Sequence, residues 1–147
     1  MRLQEIAKDV YACLQPDRGL GWSNSGFINS GGGLVVDTLD RIVALGPEVI
    51  VPGHGPLCGV EGPREMKAYL VYVREESRRH FDAGLTALEA AKRIDLGPYA
   101  SWTEPERVLF SVERAYREFR GEPFDAPIDA LAIFRGMHEL RDHQRLH

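Results

Sequence analysis

Residues 49–56 constrain the fold more than any other segment, because a short apolar run is followed at once by a Gly/Pro turn. Residues 49–51 (Val-Ile-Val) predict a buried strand, since β-branched side chains suit a pleated sheet. Residues 52–56 (Pro-Gly-His-Gly-Pro) predict that this strand ends in a rigid loop. His54 lies at the centre of the loop, where a histidine can serve as a metal ligand or an acid–base group. A hydrogen-bonded structural histidine is the alternative.

The residues before this segment indicate a β-rich region. Val10–Leu14 predicts a strand, residues 21–28 a weaker strand, and residues 34–36 a third strand after a run of glycines. Asp37 predicts the start of a short helix that ends before Gly46. A metal-binding role for Asp37 is possible chemically, but the helix cap is favoured.

Beyond residue 60 the pattern becomes helical. Apolar residues recur at helical spacing over 63–81, with charged residues between them. Thr86 and Glu89 predict a capping box for a second helix, which ends before Gly97.

Two more helices are predicted near the C-terminus. Thr103 and Glu106 predict another capping box, with Pro105 in the first turn and a helix end at Gly121. A final helix from about residue 125 is weakened by glycine. The residues expected to face inward on these two helices are Val108, Leu109, Val112, Tyr116, Phe119, Ile128, Leu131, Met137 and Leu140.

The composition is that of an ordinary globular protein. The 147 residues predict a single domain, with a β-rich part over 1–60 and a helical part over 61–147. A net charge of −4 argues against nucleic acid or an anionic membrane as a partner. The sequence has no long apolar run and no signal-peptide pattern at its start, and its two cysteines, Cys13 and Cys58, fit free thiols. We therefore expect a cytoplasmic protein.

Other polar residues have simpler explanations than a functional site. Cys58 follows the His54 loop, but one cysteine and one histidine do not make a zinc site. His143 and His147 are four residues apart and could share a helix face, although a frayed C-terminus is the preferred interpretation. His80 lies near a helix end, where positive charge is favourable without any function.

Several segments resemble the metallo-β-lactamase-fold hydrolases. Residues 23–28 (Ser-Asn-Ser-Gly-Phe-Ile) and 34–38 (Leu-Val-Val-Asp-Thr) are similar to the opening of that family. Residues 49–56 are similar to its late strand and its final metal-binding histidine, and residues 80–121 to the C-terminal helices of a bacterial branch. The resemblance implies an α/β fold with a reduced sheet of about four strands followed by a helical C-terminal half. It also implies a parent chemistry of zinc-assisted hydrolysis of an ester, thioester or amide.

The chain departs from this family at its metal ligands. No His-x-His sequence occurs anywhere, and only His54 matches a ligand position. Because a catalytic zinc needs about three protein ligands, we expect little or no zinc and assign no catalytic residue. The chain is thus expected to be an internally truncated homologue with absent or impaired hydrolysis.

Two other functions remain open from the residues. One is a non-catalytic binding or assembly protein that forms a homo-oligomer or binds a small-molecule ligand, since the deletion would expose surfaces that the lost part covered. The other is an enzyme of changed chemistry that uses His54 as an acid–base group.

Overall fold

The computed structural model describes residues 2–7, 10–14, 32–52, 56–123 and 126–146. The chain divides into two compact units, Met1–Met66 and Lys67–His147. Each is described by itself.

The first unit begins with a β-hairpin. Strand β1 (Arg2–Ala7) pairs antiparallel with β2 (Val10–Leu14), so that Arg2 lies opposite Leu14, and the register shifts between Glu5 and Ala7. The prediction of a strand over Val10–Leu14 is confirmed, whereas β1 was not predicted. The weaker strand expected over 21–28 lies outside the described residues.

The third predicted strand is wrong. Residues 34–36 lie inside helix α1 (Gly32–Ala44), so Asp37 is within the helix and does not cap its start. A run of three apolar residues is too short to distinguish strand from helix, and the apolar residues at 35, 39, 42 and 43 recur at the helical period. The predicted end is correct to within a residue or two, because Gly46 adopts a φ of +61° and Pro47 follows.

The predicted buried strand at residues 49–51 is also wrong. Only Ile50 pairs in an extended manner, through a single antiparallel bridge to Cys58, and Val51 is 79% exposed. β-branched residues favour strands only when a neighbouring strand and a core are available to them, and no such partner is present among the described residues. The expected α/β fold with a sheet of about four strands is therefore wrong. In its described part the chain is a helical protein with one short hairpin.

The second unit is built from helices, as the sequence predicts. Helix α2 spans Glu61–Asp82, and its part from Lys67 onward belongs to this unit. The elements that follow are α3 (Ala87–Arg93), the 3-10 helices Gly97–Ser101 and Pro105–Arg107, α4 (Val108–Phe119) and α5 (Ala130–Leu146).

Helices α2 to α5 enclose one apolar core. Val112 and Leu140 are fully buried at its centre, and Tyr116 is 3% exposed at its edge. The inward positions predicted for α4 are confirmed, with Phe119 partly buried against the core. On α5, Met137 is buried as expected, but Leu131 is 60% exposed, so the buried face of this helix is confined to its later turns. The buried members of the core are Val73, Ala87, Ala90, Ala91, Ile94, Leu96, Val108, Leu109, Val112, Tyr116, Met137 and Leu140.

Gly136 allows α5 to pack closely against the core. A Cβ at this position would lie 2.7 Å from Cδ2 of Leu109, whose side chain is itself buried. The glycine therefore has a packing role that offsets the lower helix propensity expected from the sequence.

One of the two predicted capping boxes is present. The Thr86 hydroxyl accepts a hydrogen bond from the backbone N–H of Glu89, and the Glu89 carboxylate accepts one from the Thr86 N–H at 2.8 Å. The box predicted at Thr103 and Glu106 is wrong. There the chain turns through Glu104 at a φ of +57°, and the Glu106 carboxylate accepts hydrogen bonds from Arg141 instead. Pro105 opens the 3-10 turn, as predicted for a residue without an N–H.

The two threonines provide a direct test of this difference. Thr86→Ala is expected to lower the free energy of unfolding by about 1 kcal/mol, because the N–H of Glu89 loses its acceptor. Thr103→Ala, at an exposed residue outside any described cap, is expected to change it by less than about 0.5 kcal/mol. Urea unfolding of both variants measures the two values. Equal losses would contradict the assignment.

Candidate functional site

The one predicted metal ligand, His54, lies outside the described residues. The residues on either side of its segment are described. The Ile50 N–H donates to the Cys58 carbonyl at 2.7 Å, and the Cys58 N–H donates back at 3.2 Å. These bonds join the two flanks of the segment. The match of His54 to one metal-ligand position, and the expectation of little or no zinc there, therefore stay predictions.

The other residues considered as ligands do not come together in the described ranges. No group of three or more His, Cys, Asp or Glu side chains that could hold a metal ion occurs among them. Cys58 is a half-buried free thiol whose Sγ would lie 2.5 Å from a Cβ at Gly62, so it packs against the start of α2. His138 lies 3.7 Å from Asp142 on the exposed surface of α5. That helix continues to Leu146, and His147, the second member of the pair with His143, lies outside the described residues.

The second unit contains an open cavity of about 490 Å³. Its lining comes from the end of α2, the turn into α3 and the last turns of α4. The turn is held by local geometry: the Leu85 N–H donates to the His80 carbonyl at 3.1 Å, and Gly84 adopts a φ of +77°. This pairing is a Schellman motif, in which a left-handed glycine closes the helix. The capping box at Thr86 then starts α3 on the other side of the cavity.

Tyr116 lines this cavity and carries a buried hydroxyl group. Its ring packs edge-on against Phe81, with centroids 5.1 Å apart. The hydroxyl oxygen is sealed from solvent and has no hydrogen-bond partner among the described residues. Burial raises the pKa of this phenol, and the negative charges of Glu113 and Glu89 raise the pKa further. An unpaired buried hydroxyl is uncommon, since most buried polar groups in proteins are hydrogen-bonded.

Glu113 contributes a half-buried carboxyl group to the same cavity. Burial raises the pKa of this group, and the charges of Arg120 and Arg117 oppose that effect only in part. Both arginines bind Glu122 instead: Arg117 Nε lies 2.7 Å from Oε2 of Glu122, and Arg120 Nε lies 2.5 Å from Oε1. Arg117 also donates to the carbonyls of Ala126 and Pro127. The guanidinium groups are thus committed to the turn that follows α4.

A second cavity, of about 270 Å³, shares Glu113 and Arg120 with the first. It lies between α3, α4 and α5, and Leu109 and Gly136 are among the residues that line it. Glu113 therefore lies between two cavities, one polar and one more apolar. A carboxylate in such a position can bind a cation or a hydrogen-bond donor.

Comparisons with known protein families, curated proteins and solved structures return no match for this chain. Within the described ranges, no helix has the length and apolar character needed to cross a membrane.

Sequence reasoning placed Tyr116 in the core but missed Glu113 and the cavity. A signal for both was present, because residues three apart on a helix share a face. A charged residue on the same face as an inward tyrosine could have been singled out for this reason. The helical period could not predict that the Tyr116 hydroxyl lacks a hydrogen-bond partner. That depends on which side chains the neighbouring helices bring close to it.

The missing partner of Tyr116 leads to a stability prediction. Tyr116→Phe is expected to leave the free energy of unfolding unchanged or to raise it by up to about 1–3 kcal/mol, because an unpaired buried hydroxyl is destabilising. Tyr69→Phe is the matched control, since the Tyr69 hydroxyl hydrogen-bonds Ser111. That variant is expected to lose about 1 kcal/mol. Chemical denaturation checks both values, and equal losses would show that the Tyr116 hydroxyl is hydrogen-bonded after all.

Proposed function

We propose that this chain is an internally shortened homologue of the metallo-β-lactamase-fold hydrolases that does not catalyse metal-dependent hydrolysis on its own. We propose further that it acts as a binding or assembly protein. The relationship to this family and the loss of hydrolysis are kept from the sequence analysis. The sheet of about four strands is not kept, since the described part of the chain is helical.

The observation that supports lost hydrolysis is the number of ligands in the sequence. His54 alone matches a ligand position of the family, and the chain contains no His-x-His sequence. A single imidazole cannot fix the coordination geometry of zinc or lower the pKa of a bound water by itself.

Metal analysis tests this part of the proposal. The purified chain, dialysed after exposure to zinc, is expected to retain well under one equivalent per chain, and added zinc is expected to leave its melting temperature unchanged. His54→Ala is expected to behave like the parent chain, because a ligand that binds nothing adds no stability. Stoichiometric zinc that survives dialysis, together with a zinc-dependent rise in melting temperature that disappears in His54→Ala, would refute it.

The observation that supports assembly is an exposed apolar surface at the start of α5. Leu131 is 60% and Phe134 57% exposed, three residues apart on the same helix, and Ile128 just before the helix is also exposed. Contiguous exposed apolar residues often mark association surfaces, and each Å² buried contributes about 25 cal/mol. We propose a homo-oligomer that uses this surface, most simply a two-fold dimer.

Sedimentation velocity with two matched variants tests the assembly. The parent chain is expected to form a dimer at micromolar concentration, and Leu131→Glu is expected to shift it toward monomer. Ala130→Glu is the control, since it places the same charge in the same helical turn at an exposed residue without removing a large apolar side chain. A parent chain that is a stable monomer, or two variants that dissociate equally, would rule out this surface.

A further inference from the structure

Arg117 contacts the chain on both sides of residues 124 and 125. The side chain is buried in the last turn of α4, and its Nε lies 2.7 Å from Oε2 of Glu122. Its Nη2 donates to the carbonyl of Ala126 at 2.8 Å and to that of Pro127 at 3.1 Å. A guanidinium group has several N–H donors in one rigid plane, so it can serve three acceptors at once. The connection that leads from α4 to α5 is thus fastened to α4 by this side chain.

The first turns of α5 lie directly beyond this attachment. The buried side chains of the helix, Met137 and Leu140, are in its later turns. Residues 130–132 are exposed, and Ile133 is only partly buried against the core. Packing against the core therefore holds the later turns more firmly than the first ones. The position of the first turns depends in addition on the chain that enters them, which Arg117 holds.

We propose that Arg117 positions the assembly surface, which consists of Ile128, Leu131 and Phe134. Pro127 immediately precedes Ile128, so the hydrogen bonds from Arg117 end next to this surface. The inference rests on the proposed function and names the residue that prepares its surface. A surface that is held in place before association loses less conformational freedom when two chains meet, and it therefore binds more tightly.

Arg120 is a matched comparison, three residues further along the chain. Its Nε lies 2.5 Å from Oε1 of Glu122, so the two arginines share one carboxylate. Within the described ranges, Arg120 does not bond the carbonyls of Ala126 or Pro127, and its side chain is exposed. The contact to the two carbonyls therefore distinguishes Arg117 from its neighbour.

Relaxation of the backbone ¹⁵N nuclei measures the order of the first turns whether the chain is monomeric or associated. The N–H groups of Ala132 and Ile133 both bond to Asp129, at 2.9 and 3.1 Å. In Arg117→Met we expect their order parameters to fall from about 0.85 to below about 0.6, because the chain before α5 loses its attachment. The order parameter of Leu140, which is fully buried, is expected to stay at about 0.85.

Sedimentation velocity of the full chain measures the consequence for association. Arg117→Met is expected to raise the dissociation constant of the dimer by about tenfold, because the surface must then be ordered when the dimer forms. Arg117→Lys is expected to lie between this variant and the parent, since an ammonium group keeps the charge but cannot reproduce the planar set of donors. Arg120→Met is expected to match the parent in both measurements.

The two measurements separate this inference from the proposed assembly. The inference is overturned if Ala132 and Ile133 are as ordered in Arg117→Met as in the parent, or if Arg120→Met weakens association equally. A loss of order that extends to Leu140 would show a general role in folding and would also overturn it. A dimeric parent with an equally dimeric Arg117→Met refutes this inference alone. A monomeric parent refutes the proposed assembly and this inference with it.

Discussion

The packing of α4 is the constraint on which the rest of the second unit depends. Val112 on α4 and Leu140 on α5 are both fully buried, and α3 packs against both helices. Removing large aliphatic side chains from water is the main favourable contribution to folding, and it needs close contact to be realised. Gly136 provides that contact by letting α5 approach the Leu109 side chain. The two cavities lie beside this helix, so its packing also sets the shape of the candidate site.

An ion pair between a buried carboxylate and a partly exposed arginine completes the attachment of α5. Glu106 is buried, and its carboxylate accepts hydrogen bonds from Nε and Nη2 of Arg141, which lies 35 residues further along the chain. A buried carboxylate is strongly disfavoured unless it is paired. The contact forms only when α5 lies next to Glu106, and it then holds α5 in that position. It also explains why Glu106 does not form the local cap that its spacing from Thr103 predicts.

The polar edge of the core responds to pH in two opposite ways. Burial raises the pKa of Glu113, so this group favours the folded state when protonated, and its contribution is lost as pH rises through the raised pKa. Hydrogen bonds from Thr86 lower the pKa of Glu89, and those from Arg117 and Arg120 lower the pKa of Glu122. Their contribution is present at neutral pH and is lost as pH falls through the lowered pKa values. Glu113 is therefore the carboxyl group in this region whose ionisation opposes folding.

The sequence by itself determined the features that depend on neighbouring residues. The helical period of α2, the capping box at Thr86 and the inward face of α4 were all predicted, because each arises from contacts within a few residues. Tertiary structure decided the rest. Residues 34–36 became helical, residues 49–51 stayed exposed apart from one bridge, and Glu106 paired with a distant arginine. The physical reason is that a β-branched run or a carboxylate has several acceptable local environments. Which one it adopts depends on whether a strand, a core or a counter-charge is brought to it by residues far along the chain.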